Sequence, residues 1–97
     1  MPEVPRQLRM TVVVYSRPGC HLCDEAVSVL EKLRCQFAFG VDVRDVDVDP
    51  AIWRKYGFAI PVVIFPNGAI LTAPISPDDV ACQVANLPRH RRFFGLV

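Results

Sequence analysis

Val12-Val13-Val14-Tyr15-Ser16-Arg17-Pro18-Gly19-Cys20-His21-Leu22-Cys23-Asp24-Glu25-Ala26 is the stretch on which the fold turns. An apolar, β-branched run is cut by a Pro-Gly turn, and a helical pattern begins at once on its far side. Two cysteines spaced Cys-x-x-Cys occupy the join. That order puts Cys20 at the carboxyl end of a strand and at the amino end of a helix. There the first backbone N–H groups lack intrahelical partners and the helix carries about half a positive charge, which favours a thiolate.

Upstream, residues 1–9 contain Pro2 and Pro5 and read as an extended lead-in, and Met10 to Tyr15 as a strand buried on both faces. Downstream, Leu22, Ala26, Leu30 and Leu33 recur at helical spacing, predicting a helix from Cys20 or His21 to about Arg34. Asp24 and Glu25 fall in its first turn and Lys32 and Arg34 in its last, the polarity a helix dipole prefers. Phe37, Phe39, Val41 and Val43 alternate as a second strand. The apolar phase then slips to Val46 and Val48, which a bulge or the end of the strand near Arg44-Asp45 accommodates. Asp49-Pro50 opens a short helix with an N-cap and a first-turn proline; Ile52, Trp53 and Tyr56 give it one apolar face, and Gly57 is its stop. Ile60-Pro61-Val62-Val63-Ile64-Phe65 is a third strand, Pro66-Asn67-Gly68 a hairpin turn, and 69–72 the antiparallel return. Ser76-Pro77-Asp78-Asp79 opens the last helix, with Val80, Val84 and Leu87 facing inward and Pro88 ending it. The order is β-α-β-α-β-β-α. Strands separated by helices are expected to pair parallel and the final hairpin antiparallel, an α/β fold with a mixed four-stranded sheet covered by helices.

With 97 residues, 52% hydrophobic and 22% charged, the chain has material for one domain with a modest core. That domain spans 1–97, with its core at about 10–87, a flexible lead-in and a basic, aromatic tail. A net charge of +1 gives no reason to expect nucleic acid or an anionic membrane as partner. The runs 11–15 and 59–65 are far too short to span a bilayer. Residues 1–9 have no apolar h-region, so no secretory signal is indicated and a cytoplasmic location is expected. In the tail Arg89-His90-Arg91-Arg92-Phe93-Phe94, the phenylalanines are expected to dock on the fold while the arginines stay in solvent.

Four cysteines do not make a disulfide scaffold here, because the core suffices without staples. Cys35 and Cys82 lie in apolar, helical surroundings and read as buried small hydrophobes. In an interior protein, Cys-x-x-Cys beside a strand–helix junction reads as redox or metal chemistry before structural bridging. Zinc needs four ligands, there is no second Cys-x-x-Cys, and His21 beside Cys20 cannot readily face the same ion, so a one-chain zinc site is not expected. An iron–sulfur cluster shared between two chains stays open.

The segments Tyr15-Ser16-Arg17-Pro18-Gly19-Cys20-His21-Leu22-Cys23 and Ile60-Pro61-Val62, with the lesser Asp45-Val46-Asp47-Val48-Asp49-Pro50, resemble the thioredoxin fold and most its small glutaredoxin-like branch. The resemblance covers roughly residues 10–87. It implies that Cys20 is the exposed nucleophile and Cys23 the resolving thiol. It implies a cis Pro61 against the pair, with the Ile60 backbone available to an extended thiol substrate. Arg17 falls where typical glutaredoxins carry a lysine that supports the thiolate and a glutathione carboxylate. Asp78 falls in the segment that holds glutathione's γ-glutamyl end, and His21 and Tyr15 belong to the thiolate's surroundings, Tyr15 as pocket wall rather than catalyst. The chain departs from the pattern where Ile75-Ser76-Pro77-Asp78-Asp79 replaces a Gly-Gly-x-Asp stretch, since Pro77 removes one N–H donor. The His-Leu pair between the cysteines is neither Gly-Pro nor Pro-Tyr.

The activity so implied is thiol–disulfide oxidoreduction on protein or glutathione disulfides, by a monomer with no bound cofactor or metal. Glutathione would serve as co-substrate, and glutathione or a thioredoxin reductase-type system as reductant. Two other readings stand beside it: a non-catalytic peptide- or protein-binding module working along Ile60-Pro61, and an iron–sulfur or metal carrier.

Overall fold

Thr11–Ser16 form β1, the strand to which the rest of the fold attaches. A computed structural model describes residues 10–87. The expectations for residues 1–9, for Pro88 and for the tail at 89–94 lie outside the described residues. Val12 and Val14 are fully buried on one face of β1, where Ala26 and Leu30 of α1 (His21–Leu33) and Val80 and Val84 of α3 (Pro77–Ala85) pack on them. Val13 and Tyr15 point the other way, to Ile52, Trp53 and Tyr56 of α2 (Pro50–Tyr56). A strand covered on both faces has no polar side to present, which is why its sequence is a near-continuous apolar run.

The sheet order is β2-β1-β3-β4, with β2 at Gly40–Asp45, β3 at Val62–Ile64 and β4 at Ile70–Thr72. β1 and β2 run parallel, Thr11 opposite Gly40 through Ser16 opposite Asp45. The expected parallel pairing does not extend to β3, which runs antiparallel to β1 with Tyr15 opposite Val62. The reason is length. The seven residues of α2 rise about 10 Å, whereas returning along a six-residue strand takes about 20 Å. The chain therefore re-enters the sheet at the end it left, and Ile60-Pro61 arrives level with the end of β1. β2 is also shorter than the alternation suggested: Phe37 and Phe39 precede it, with Phe39 buried against α1 and α3. The phase slip is the end of the strand at Asp45, followed by Val46 buried on the α2 face and Val48 left 76% exposed.

Helix boundaries follow cap chemistry. The Asp49 carboxylate accepts from the Ala51 N–H at 2.9 Å and the Ser76 hydroxyl from the Asp78 N–H at 3.1 Å, each with proline in the first turn. At the far end of α1, Arg34 donates from Nε to the Phe39 carbonyl at 3.1 Å, tying the helix to the chain entering β2. The hairpin turns on Gly68 at φ +94, whose N–H donates to the Phe65 carbonyl at 2.9 Å. Cys35 and Cys82 are exposed, which corrects their reading as buried hydrophobes. Cys35 lies past the end of α1, and Cys82 sits between Val80 and Val84, on the side of α3 opposite that inward pair.

Candidate functional site

The turn that delivers Cys20 is set by Pro18 and Gly19. The Cys20 N–H donates to the Arg17 carbonyl at 3.1 Å, and Gly19 at φ +80 takes the left-handed position that a Pro-Gly turn requires. Cys20 then caps α1 with extended backbone, φ −83 and ψ 106. Its Sγ accepts from the Cys23 N–H at 3.2 Å, the role a serine oxygen plays at an ordinary N-cap. The sulfur thus sits at the positive end of a 13-residue helix.

Cys20 and Cys23 are joined by a disulfide, their Cα atoms 5.2 Å apart. Cys20 is half-buried, while Cys23, one turn into the helix, is 1% exposed. One sulfur of the pair faces outward and the other lies beneath it. Among the described residues no three His, Cys, Asp or Glu side chains converge to hold a metal ion. Nor is any described helix long and apolar enough to cross a membrane.

The Ile60-Pro61 peptide bond is cis, and so is Ala73-Pro74, which nothing in the sequence had singled out. Pro61 is fully buried at the entrance to β3, and Ile60 packs half-buried on the α2 side. Both prolines line a groove of about 190 Å³ with Leu22, Glu25, Val29 and Ile75. Its walls come from the first turns of α1 and from the segment that leads into α3. Leu22 belongs to the inward stripe of α1 yet is 56% exposed, because at the first turn that stripe hangs over the groove instead of the core.

The other residues singled out from sequence are distributed differently. Arg17 points to Asp47, in the turn after β2, and donates to both carboxylate oxygens from Nε and Nη2 at 3.0 Å each. That hydrogen bonding holds the Asp47 carboxyl below its ordinary value and raises the guanidinium further, and the Trp53 indole adds a smaller pull on the same carboxylate. His21 is exposed and lies 2.9 Å from Glu25, one turn along α1. Tyr15 is buried on the α2 face and stacks on Tyr56 with ring centroids 5.6 Å apart, beside Arg44, so it walls a pocket on the face opposite the groove. Asp78 is exposed in the first turn of α3 and does not line the groove. Sequence reasoning missed Asp47 and Leu22. The run of aspartates after β2 was the available signal for the first, because a parallel β2 must end beside the residue that follows β1.

No curated protein matches the chain. A search of solved structures finds the Northeast Structural Genomics target XcR50 from X. campestris, 31% identical, with a TM-score of 0.66, covering 79% of this chain and 99% of that one. It also finds protein Ne2328 from Nitrosomonas europaea, 26% identical, with a TM-score of 0.67 over 87% of this chain and 99% of that one. A mutant thioredoxin from Halobacterium salinarum NRC-1, at 17% identity and a TM-score of 0.67, covers 87% of this chain and 79% of its own, and shares the fold. The profile of the glutaredoxin-like domain family (DUF836) matches residues 11–85. On that match, and with a cysteine pair at the β1–α1 junction of a thioredoxin fold, the chain belongs to the glutaredoxin-like domain family.

Proposed function

We propose that the protein is a thiol–disulfide oxidoreductase that works through Cys20 and Cys23. In the reduced form the Cys20 thiolate attacks one sulfur of a protein or glutathione disulfide. That S–S bond breaks, the departing sulfur takes a proton from solvent, and Cys20 is left in a mixed disulfide. Cys23 loses its proton, attacks the Cys20 sulfur and expels the second substrate thiol. The product is the Cys20–Cys23 disulfide; two electrons have passed to the substrate, and an external thiol reductant of the glutathione or thioredoxin reductase type returns them.

The observation that carries this reading is a half-buried, N-capping sulfur bonded to a sulfur 1% exposed beneath it. Exposure suits Cys20 for an intermolecular attack, and burial suits Cys23 for an intramolecular one. The helix start and the Cys23 N–H at 3.2 Å stabilise negative charge on Cys20 as the attacking thiolate, and again as the leaving group when a second equivalent of reductant attacks the outer sulfur of a mixed disulfide on Cys20 and frees the dithiol. Nothing in this scheme requires a resident cofactor, a metal or a second chain, and a reducing compartment such as the cytoplasm suits it.

Cys20→Ser should abolish disulfide reduction, and Cys23→Ser should accumulate a mixed disulfide on Cys20 visible by intact mass. Full activity in Cys20→Ser would refute the assignment. A redox titration separates the binding-module reading, which requires no reversible two-electron couple, and a purified protein carrying stoichiometric iron or zinc would favour a carrier.

A further inference from the structure

The groove lined by Leu22, the residue just before Cys23, and by the cis Pro61 is apolar, and Glu25 is the one charged side chain among the described residues that line it. Glutathione is a poor match to such a surface. At neutral pH it carries two carboxylates and one ammonium, and it has no apolar side chain to bury. A site that selects it needs positive charge or free N–H groups near the sulfur. Here the cation of the cysteine turn, Arg17, is taken up by both oxygens of Asp47. The start of α3 is no better. Pro77 has no N–H, the Asp78 N–H is taken by the Ser76 hydroxyl, and Asp78 and Asp79 place two carboxylates in that first turn. What the groove does offer is Leu22, 56% exposed, facing Pro74 and Ile75.

We propose that the site selects an extended protein segment with an aliphatic side chain and a basic residue next to its disulfide cysteine, in preference to glutathione, and that Asp47 is a specificity-determining residue because it withholds Arg17. The aliphatic side chain fills the groove over Leu22, and the basic residue meets Glu25, the acid of the groove wall, whose other neighbour is the exposed His21. This rests on the oxidoreductase reading. No charge in the groove is reversed by Asp47; it acts only by occupying the guanidinium.

The test is single-turnover oxidation of the full-length reduced protein by three probes. These are oxidised glutathione, a short peptide mixed disulfide with Leu-Lys after the cysteine, and the same peptide with Glu-Glu. Each probe takes two electrons from the dithiol, and released thiol is followed with time. The Leu-Lys peptide is expected to react at least about tenfold faster than either other probe, the scale of discrimination one aliphatic pocket supplies. In Asp47→Ala the ratio of glutathione rate to Leu-Lys rate should rise, by up to about fivefold for an exposed cation set free. Equal rates for all three probes, or an unchanged ratio in Asp47→Ala, would overturn the proposal while leaving the redox assignment intact. If no probe oxidised the dithiol, the redox assignment itself would fall and this proposal with it.

Discussion

Gly57 closes α2, and replacing it by alanine tests why a glycine stands there. The usual reason, a left-handed cap, does not apply, since Gly57 has φ −56 and ψ −28, a conformation open to any residue. Space is the constraint. A Cβ at this position would lie 2.6 Å from the Trp53 carbonyl oxygen and 3.0 Å from two atoms of the indole ring. The same carbonyl accepts the Gly57 N–H at 2.7 Å, so it cannot retreat without opening the helix end. Crowding of this kind costs about 1–3 kcal/mol. Alanine offsets about 0.4–1 kcal/mol of that by restricting the unfolded chain. The net expectation is a loss of about 1–2 kcal/mol, or a fall in Tm of about 4–8 °C for each kcal/mol lost.

Urea unfolding of the oxidised protein reads the change as a lower midpoint at constant slope. Gly68 is the control. It sits at φ +94 with nothing within 4 Å of an added Cβ, so its cost is purely conformational. Asparagine, which tolerates the left-handed region, should recover part of the Gly68→Ala loss and none of the Gly57→Ala loss. A Gly57→Ala protein more stable than the parent would refute the crowding argument.

Three further outcomes are expected. Leu30→Ala, at a fully buried position between β1 and α3, should cost about 2–5 kcal/mol, read by the same urea titration. After reduction of the native protein, alkylation should modify Cys20, Cys35 and Cys82 and spare Cys23; peptide mass mapping checks this, and prompt labelling of Cys23 would contradict its burial. The Asp47 carboxyl is held below its ordinary 3.8 by Arg17, so the pair's contribution to stability is whole above that pH and is lost as pH falls through the lower folded value. The stability gap between the parent and Asp47→Ala should accordingly be flat near neutrality and close in acid, which urea midpoints across pH will show.

The parts of the fold that could be read in advance are those written in local chemistry. Ser76-Pro77 and Asp49-Pro50 declare helix starts because a side-chain acceptor and a missing N–H suit the first turn, and the Pro-Gly turn before Cys20 is equally local. The direction of β3 is not local. It depends on how far α2 carries the chain, and no residue of β3 encodes it. Cys82 was legible and misread: with Val80 and Val84 both inward, the position midway between them on a helix must face out. The Arg17–Asp47 pair spans 30 residues and becomes visible only once Ser16 is set opposite Asp45. Leu22 followed the apolar stripe correctly, but whether the first member of a stripe meets core or groove depends on what stands across from it.

One helix connects the two sides of the site. Asp47, which holds Arg17 in the turn that presents Cys20, is also drawn by the Trp53 indole of α2. Trp53 in turn leaves no room for a side chain at Gly57, and its carbonyl anchors the N–H that ends α2. Three residues beyond Gly57 the chain reaches Ile60 and the buried, cis Pro61, which lines the groove with Leu22. Asp47, the partner of the cysteine turn, and Pro61 therefore flank opposite ends of one short helix, although the turn itself follows β1 and Pro61 opens β3. A seven-residue helix would have little stability alone. Packing of its half-buried Ile52, Trp53 and Tyr56 against Tyr15, Val46 and Val62, on the face of the sheet opposite the groove, is what holds it in place.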